Sequence, residues 1–189
     1  MKNLQQRRVG RWSATILVFA WLLGPCGQAC ADVALSLEAG RGEGVDIWGL
    51  GLRWADLHTW HLARDVDIGI SILGRVDHWH GVEMGAVVAD LWDLSATPVL
   101  RLQPVDRTGV TPFLDAGIGV SLISHTRING HRVLSTAFQF NELIGPGVRF
   151  GDRHQYELAL RVQHTSNDGI KEPNNGLTFR TVVFQYAFQ

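Results

Sequence analysis

The chain has 189 residues, a formal net charge of −1, 46% hydrophobic residues and two cysteines. That length permits one domain. The near-neutral balance, with no basic run beyond the first few residues, excludes a nucleic-acid surface.

The N-terminus reads as an export signal. Lys2, Arg7, Arg8 and Arg11 form a basic region, Ala14 to Gly24 (ATILVFAWLLG) a short apolar core, and Ala29-Cys30-Ala31 an A-x-A cleavage site. The core is too short for a comfortable transmembrane helix. The mature chain is expected to begin at Asp32, giving a signal peptide over 1–31 and one domain over 32–189. A lipoprotein signal around Cys26 or Cys30 is the alternative, and the residues before each fit it poorly. Cleavage would remove both cysteines, leaving no disulfide or thiolate chemistry. It would also remove four basic residues and take the net charge to −5.

Beyond residue 32 the apolar residues recur every second position, the period of a strand rather than a helix. Eight such stretches follow in order, starting from Val33–Ala39 and Trp48–Trp54. The third and fourth are Val66–Ile72 and Trp92–Leu102. Leu114–Leu122, Phe138–Phe150, Leu158–Ser166 and Val182–Phe188 complete the set. Eight is an even number. One face of each stretch is continuously apolar, with Trp, Phe and Tyr near the ends; the other carries Gly, Ser, Asp, Gln and Arg. Small polar side chains suit the crowded interior of a narrow barrel, and an apolar face with aromatic girdles suits lipid. The expected fold is all-β, an eight-stranded antiparallel transmembrane β-barrel in the bacterial outer membrane. A soluble barrel of lipocalin type, with the apolar face inside, is the alternative.

With the N-terminus in the periplasm, the connections 5–6 (His125 to Ser135) and 7–8 (Asp168 to Asn175) are external. The 6–7 connection is a short turn at Gly151-Asp152-Arg153, and Pro104–Gly109 reads as another turn. Strand 7 then ends at the external side with a polar interruption. Leu158, Leu160 and Val162 share a face whose next members are His164 and Ser166, with Cα atoms ~6.6 Å apart. A histidine and a serine on one face form the nucleophile-and-base pairing of a serine hydrolase. Two polar residues at a strand end are the plainer reading, but a polar pair facing lipid costs free energy unless it is used.

Three blocks carry a family resemblance. They are Pro112-Phe113-Leu114-Asp115-Ala116-Gly117-Ile118-Gly119-Val120, Phe140-Asn141-Glu142-Leu143-Ile144-Gly145-Pro146-Gly147, and the stretch from His164 to Gly176 (HTSNDGIKEPNNG). From about Thr111 onward the chain resembles the PagL-type lipid A 3-O-deacylases, eight-stranded outer-membrane enzymes. The resemblance implies hydrolysis of the ester-linked acyl chain at the 3-position of lipid A, with His164 as general base and Ser166 as nucleophile. It implies oxyanion and substrate contacts at Asn167, Gly169 and Asn174, and no metal or cofactor. The family's third member, a glutamate, falls at Thr178, and a threonine supplies no negative charge to an imidazolium. Glu142, on the same face of the neighbouring strand, is the candidate acid, and a dyad without an acid is the alternative. Register across the Gly151–Arg153 turn would set it opposite Val162 and diagonal to His164. Glu172 and Asp168 are weaker candidates. The implied partners are lipid A or lipopolysaccharide as substrate and outer-membrane lipid, with a homodimer left open. A catalytically impaired barrel with a structural or lipopolysaccharide-binding role is the alternative function.

Other residues draw attention. His58/His61 and His78/His80 have metal-like spacing without an accompanying ligand set, so they read as loop or interfacial histidines. Ser124, His125 and His131 lie in the external 5–6 loop. Arg127 and Arg132 there could meet phosphates, although solvated charges are the simpler reading.

Overall fold

A computed structural model describes residues 33–82, 90–129 and 132–188. The proposed signal over 1–31 and His131 lie outside the described residues. The strands are β1 (Val33–Gly42), β2 (Val45–Ala63), β3 (Val66–Gly81), β4 (Asp90–Pro104), β5 (Thr111–Ile123), β6 (Phe138–Phe150), β7 (Tyr156–Ser166) and β8 (Leu177–Phe188). Each pairs antiparallel with the next, and β8 pairs with β1, closing an eight-stranded barrel. Closure removes both sheet edges, the condition for a β-structure in lipid.

The period-2 pattern sorts side chains as the sequence suggests. On β1, Leu35 and Leu37 are exposed while Ser36 and Glu38 are buried; on β8, Val182 and Phe184 are exposed while Thr181 and Gln185 are buried. The apolar face is therefore outside. Neighbouring backbones approach closely at inward-facing Gly119, where a Cβ would lie 2.3 Å from the Ala96 carbonyl oxygen.

Buried charges in the lumen are arranged in two layers. Near the chain termini, Arg101 bridges Asp115 (2.7 Å) and Glu157 (2.6 Å), Arg53 also reaches Asp115 (2.6 Å), and Arg149 reaches Glu157 (2.7 Å). Nearer the opposite end, Arg75 meets Glu38 (3.2 Å) and donates to Gln163 and Asn141, and Arg161 meets Glu38 (2.5 Å). Buried charges need such partners because desolvation otherwise outweighs their benefit. Above these layers the lumen turns apolar. Val45, Ile47, Trp79, Leu91, Ile123, Leu177 and Phe179 from the strands close around Ile128 and Leu134 from the β5–β6 connection.

β2 and β3 extend furthest beyond their apolar runs. β2 continues past Trp54 through a register irregularity before His58, and β3 continues past Ile72 to Gly81. Extra residues at the irregularity break the alternation on β2. On β3 the inward residues Leu73 and Trp79 are themselves apolar because they fill the lumen and its mouth. His58, His61, His78 and His80 are thus strand residues rather than loop residues. His61 Nδ1 lies 2.6 Å from Asp67, His80 Nδ1 lies 2.5 Å from Asp90, and His78 packs between Trp48 and Trp92.

Candidate active site

β7 brings His164 and Ser166 to the barrel's outer wall, two residues apart and continuous with exposed Leu158, Leu160 and Val162. On β8, Thr178 pairs with His164, and its Oγ1 lies 2.9 Å from His164 Nδ1. On β6, Glu142 also pairs with His164, while Phe140 pairs with Ser166. His164 is therefore flanked on both sides, by a carboxylate and by a hydroxyl.

The expected register was wrong by two residues. Glu142 faces His164 directly, and Val162 faces Ile144. The hairpin closes with Phe150 opposite Tyr156, so its turn spans five residues, 151–155, instead of three. Direct cross-strand partners have Cβ atoms ~4.5–5.5 Å apart, closer than the diagonal neighbours first expected.

Gly176 sits against the pair. A Cβ there would lie 2.8 Å from His164 Cε1, 3.2 Å from Nε2 and 3.5 Å from Ser166 Cβ, and its φ is +55°. Both the space and the backbone conformation call for glycine. The residue closes the β7–β8 loop directly over the Nε2 side of the imidazole.

That loop is fastened to the β5–β6 connection. The buried Asn167 side chain donates to the carbonyls of Leu134 (2.6 Å) and Lys171 (2.8 Å). Asn175 N–H donates to the Val133 carbonyl and its Oδ1 accepts from Val133 N–H, both at 3.1 Å. Ser135 Oγ donates to the Pro173 carbonyl at 2.7 Å. Leu134, whose side chain is buried in the mouth cluster, thus joins the apolar cap to the site loop through one carbonyl. Arg132 is not the solvated charge its loop position suggests: it pairs with Glu43 (3.2 Å) and donates to the Asn175 carbonyl, because the loop folds inward over the mouth.

Behind the site, Thr165 points into the lumen and accepts from Asn141 Nδ2 at 3.2 Å. Asn141 Oδ1 accepts in turn from Arg75 at 3.0 Å. The strand that presents His164 and Ser166 is therefore held from both faces.

The Asn167 and Gly169 N–H groups, expected to meet an oxyanion, already have acceptors here: Asn174 Oδ1 at 3.2 Å and Asn167 Oδ1 at 3.0 Å. Glu172 accepts from Asn174 N–H at 2.9 Å and so braces the loop rather than the histidine, and Asp168 is an exposed loop residue with φ +51°. Sequence reading singled out neither Leu134 nor the positioning role of Gly176. The first looks like any loop leucine; the second stood only inside a motif.

Along β5 to β8 the outward strand faces are apolar except at Glu142, His164, Ser166, Thr178 and Arg180. All five lie on three neighbouring strands. Fold and site together define a transmembrane β-barrel carrying a serine–histidine pair on its lipid-facing wall.

The profile of the family described as lipid A 3-O-deacylase (PagL) matches residues 46–187, and the chain belongs to that family. Lipid A deacylase PagL of Pseudomonas aeruginosa is 32% identical over 156 residues, which are 82% of this chain and 85% of that protein. Lipid A deacylase PagL of Bordetella bronchiseptica is 37% identical over 98 residues, 52% of this chain and 51% of that protein. The crystal structure of the outer membrane enzyme PagL superposes with a TM-score of 0.71 at 25% identity, covering 81% of this chain and 98% of that one.

Proposed function

We propose that this protein is a lipid A 3-O-deacylase of the outer membrane, hydrolysing the ester-linked acyl chain at the 3-position of lipid A in the outer leaflet. The observation that carries this reading is the outward-facing His164, flanked by Thr178 and Glu142 two residues from Ser166. In such a position the ester of a lipid arrives by lateral diffusion while its acyl chain stays in hydrocarbon.

In this mechanism His164 Nδ1–H donates to Thr178 Oγ1, which fixes the tautomer and leaves the Nε2 lone pair for the Ser166 proton. Ser166 Oγ attacks the ester carbonyl carbon as Nε2 takes its proton. The tetrahedral intermediate collapses, the C–O bond to the sugar breaks, and the departing 3-oxygen takes the proton back from the imidazolium. Water then attacks the acyl-serine with His164 again as base, releasing the fatty acid and restoring Ser166. Asn174 Oδ1 is held by Asn167 N–H, which leaves the Asn174 amide NH2 as the donor for the oxyanion. Asn167 and Gly169 shape the loop that presents it. Thr178 orients the imidazole, and Glu142 supplies the negative charge that threonine lacks.

Residues 1–31 direct export and are removed before Asp32. The external loops, including the one after Ser166, then lie outside the cell.

The test is mass spectrometry of lipid A incubated with the purified barrel, beside Ser166→Ala and His164→Ala. Loss of one 3-linked hydroxyacyl chain, abolished in both variants, is the expected result. An unchanged lipid A mass with a correctly folded barrel would favour the second reading, an impaired barrel, for which the absence of a carboxylate at Thr178 is the specific argument.

A further inference from the structure

Of the five outward polar positions on β5 to β8, the mechanism leaves Arg180 unused. It stands two residues beyond Thr178 on β8, exposed, between Val162 of β7 and Arg41 of β1 in the register. Arg41 is matched by Asp46, at 2.5 Å and 3.3 Å. Farther along the same rung His80 pairs with Asp90. Arg180 makes no ion pair with any described residue. An unpaired cation on a lipid-facing wall is unfavourable, and two arginines directly opposite one another repel. Such an arrangement persists where an anion is there to be bound.

We propose that Arg180, with Arg41 beside it, binds a phosphomonoester on the sugar of the glycolipid whose ester Ser166 attacks. The inference rests on the deacylase reading and deepens it by assigning the substrate's phosphate. Geometry supports it. Arg180 is the diagonal neighbour of His164, at a Cβ separation of ~7–8 Å or less, within reach of a long side chain. Strands of such a barrel tilt by roughly 35–45°. The rung through His164 and Thr178 runs out at the β1–β2 turn, so rungs climb toward the site end on passing from β7 to β1. That climb offsets the two-residue step from Thr178 to Arg180. Both arginines therefore stand near the height of His164, the height this proposal gives to the sugar of the bound glycolipid. Guanidinium matches phosphate by paired, charge-assisted hydrogen bonds.

The experiment compares the full-length barrel in neutral detergent with Arg180→Ala and Arg180→Lys. Substrates are phosphorylated lipid A and the same lipid stripped of phosphate by a phosphatase. The wild type should prefer the phosphorylated substrate in kcat/KM by about tenfold or more, through KM. Arg180→Ala should bring that preference toward one, and Arg180→Lys should restore part of it. An unchanged preference in Arg180→Ala, or an equal loss on both substrates, overturns the proposal. So does an Arg180-dependent gain for the stripped substrate on adding phosphatidylglycerol, which would assign the phosphate to a neighbouring lipid. Binding is measured separately in Ser166→Ala and Ser166→Ala/Arg180→Ala by native mass spectrometry. If the wild type hydrolyses neither lipid, the deacylase reading fails; phosphate-dependent binding that needs Arg180 then upholds the phosphate site, and its absence overturns that too.

Discussion

Thr178 is the position where the chemistry of this site can be rebuilt. Its hydroxyl lies 2.9 Å from His164 Nδ1, so it orients the ring without charge. Thr178→Glu would replace a neutral hydrogen bond with a charge-assisted one. The two differ by about 1–2 kcal/mol, so turnover should rise about 5–30-fold if the imidazolium forms in the rate-limiting step. Thr178→Val removes the acceptor, frees the tautomer and should lower kcat by tenfold or more. Glu142 enters from the other flank. At a charge separation of ~6 Å and an effective dielectric constant near 20, its attraction to the imidazolium is roughly 3 kcal/mol before discounting for its exposure. Glu142→Gln should therefore slow turnover by roughly 5–50-fold. In the Thr178→Glu background the same change should cost less, because one carboxylate already serves the ring; the coupling is read from the double-mutant cycle. The assay is initial-rate release of hydroxy fatty acid from lipid A in mixed micelles, with KM and kcat separated. If Thr178→Glu is no faster and Glu142→Gln no slower, with barrels of unchanged thermal stability, negative charge plays no part at His164 and the division of roles between Thr178 and Glu142 falls.

Gly176→Ala would place a methyl 2.8 Å from His164 Cε1 at a φ of +55°, so kcat should fall about 100-fold through displacement of the ring; near wild-type turnover would sink the claim that this glycine positions the imidazole. Leu134→Ala opens a cavity in the mouth cluster and should cost about 2–5 kcal/mol in urea unfolding, together with a loss of activity, since the Leu134 carbonyl anchors Asn167. Stability lost with activity intact would separate the cap from the site. In the lumen, Arg101→Met leaves Asp115 with Arg53 alone and Glu157 with Arg149 alone, far from the site, while Arg75→Met takes one partner from Glu38 and also releases Asn141 behind Thr165. Each should cost about 3–5 kcal/mol in equilibrium unfolding. Only Arg75→Met should also lower kcat measured well below the melting temperature; equal kcat in both would refute the brace.

Most of the barrel was legible because lipid outside and packed polar groups inside impose a strict period of two. Leu35 and Leu37 against Ser36 and Glu38 carry the rule on four residues. It failed where another demand overrode it. β2 slips register past Trp54, and on β3 Leu73 and Trp79 face inward as apolar residues, so apolar no longer means outward near the mouth. The site was half legible. His164 and Ser166 stood out as polar residues on an apolar face. Their surroundings did not, because the partner of Glu142 depends on a turn length, and turn residues at Gly151–Gln155 do not announce how many of them leave the ladder. The Leu134–Asn167 contact joins two loops and has no signature in local pattern at all.

On the proposed reading, a serine–histidine pair on an outer wall meets a difficulty that a cleft does not. Half of its surroundings are fluid lipid, which neither orients a side chain nor supplies a dipole, so every constraint must come from the strand's flanks and from behind. The flanks are Thr178 and Glu142; behind stand Thr165, Asn141 and Arg75; above, Gly176 closes a loop whose rigidity is borrowed from the Leu134 cap. This gives Arg75 a reason to stay in the lumen although an apolar filling of equal volume is often as stable. Arg75 donates to Glu38, Gln163 and Asn141 at once, tying β1, β7 and β6 together at the height where β7 must not move. An apolar side chain could fill that space, but it could not hold Asn141 to Thr165.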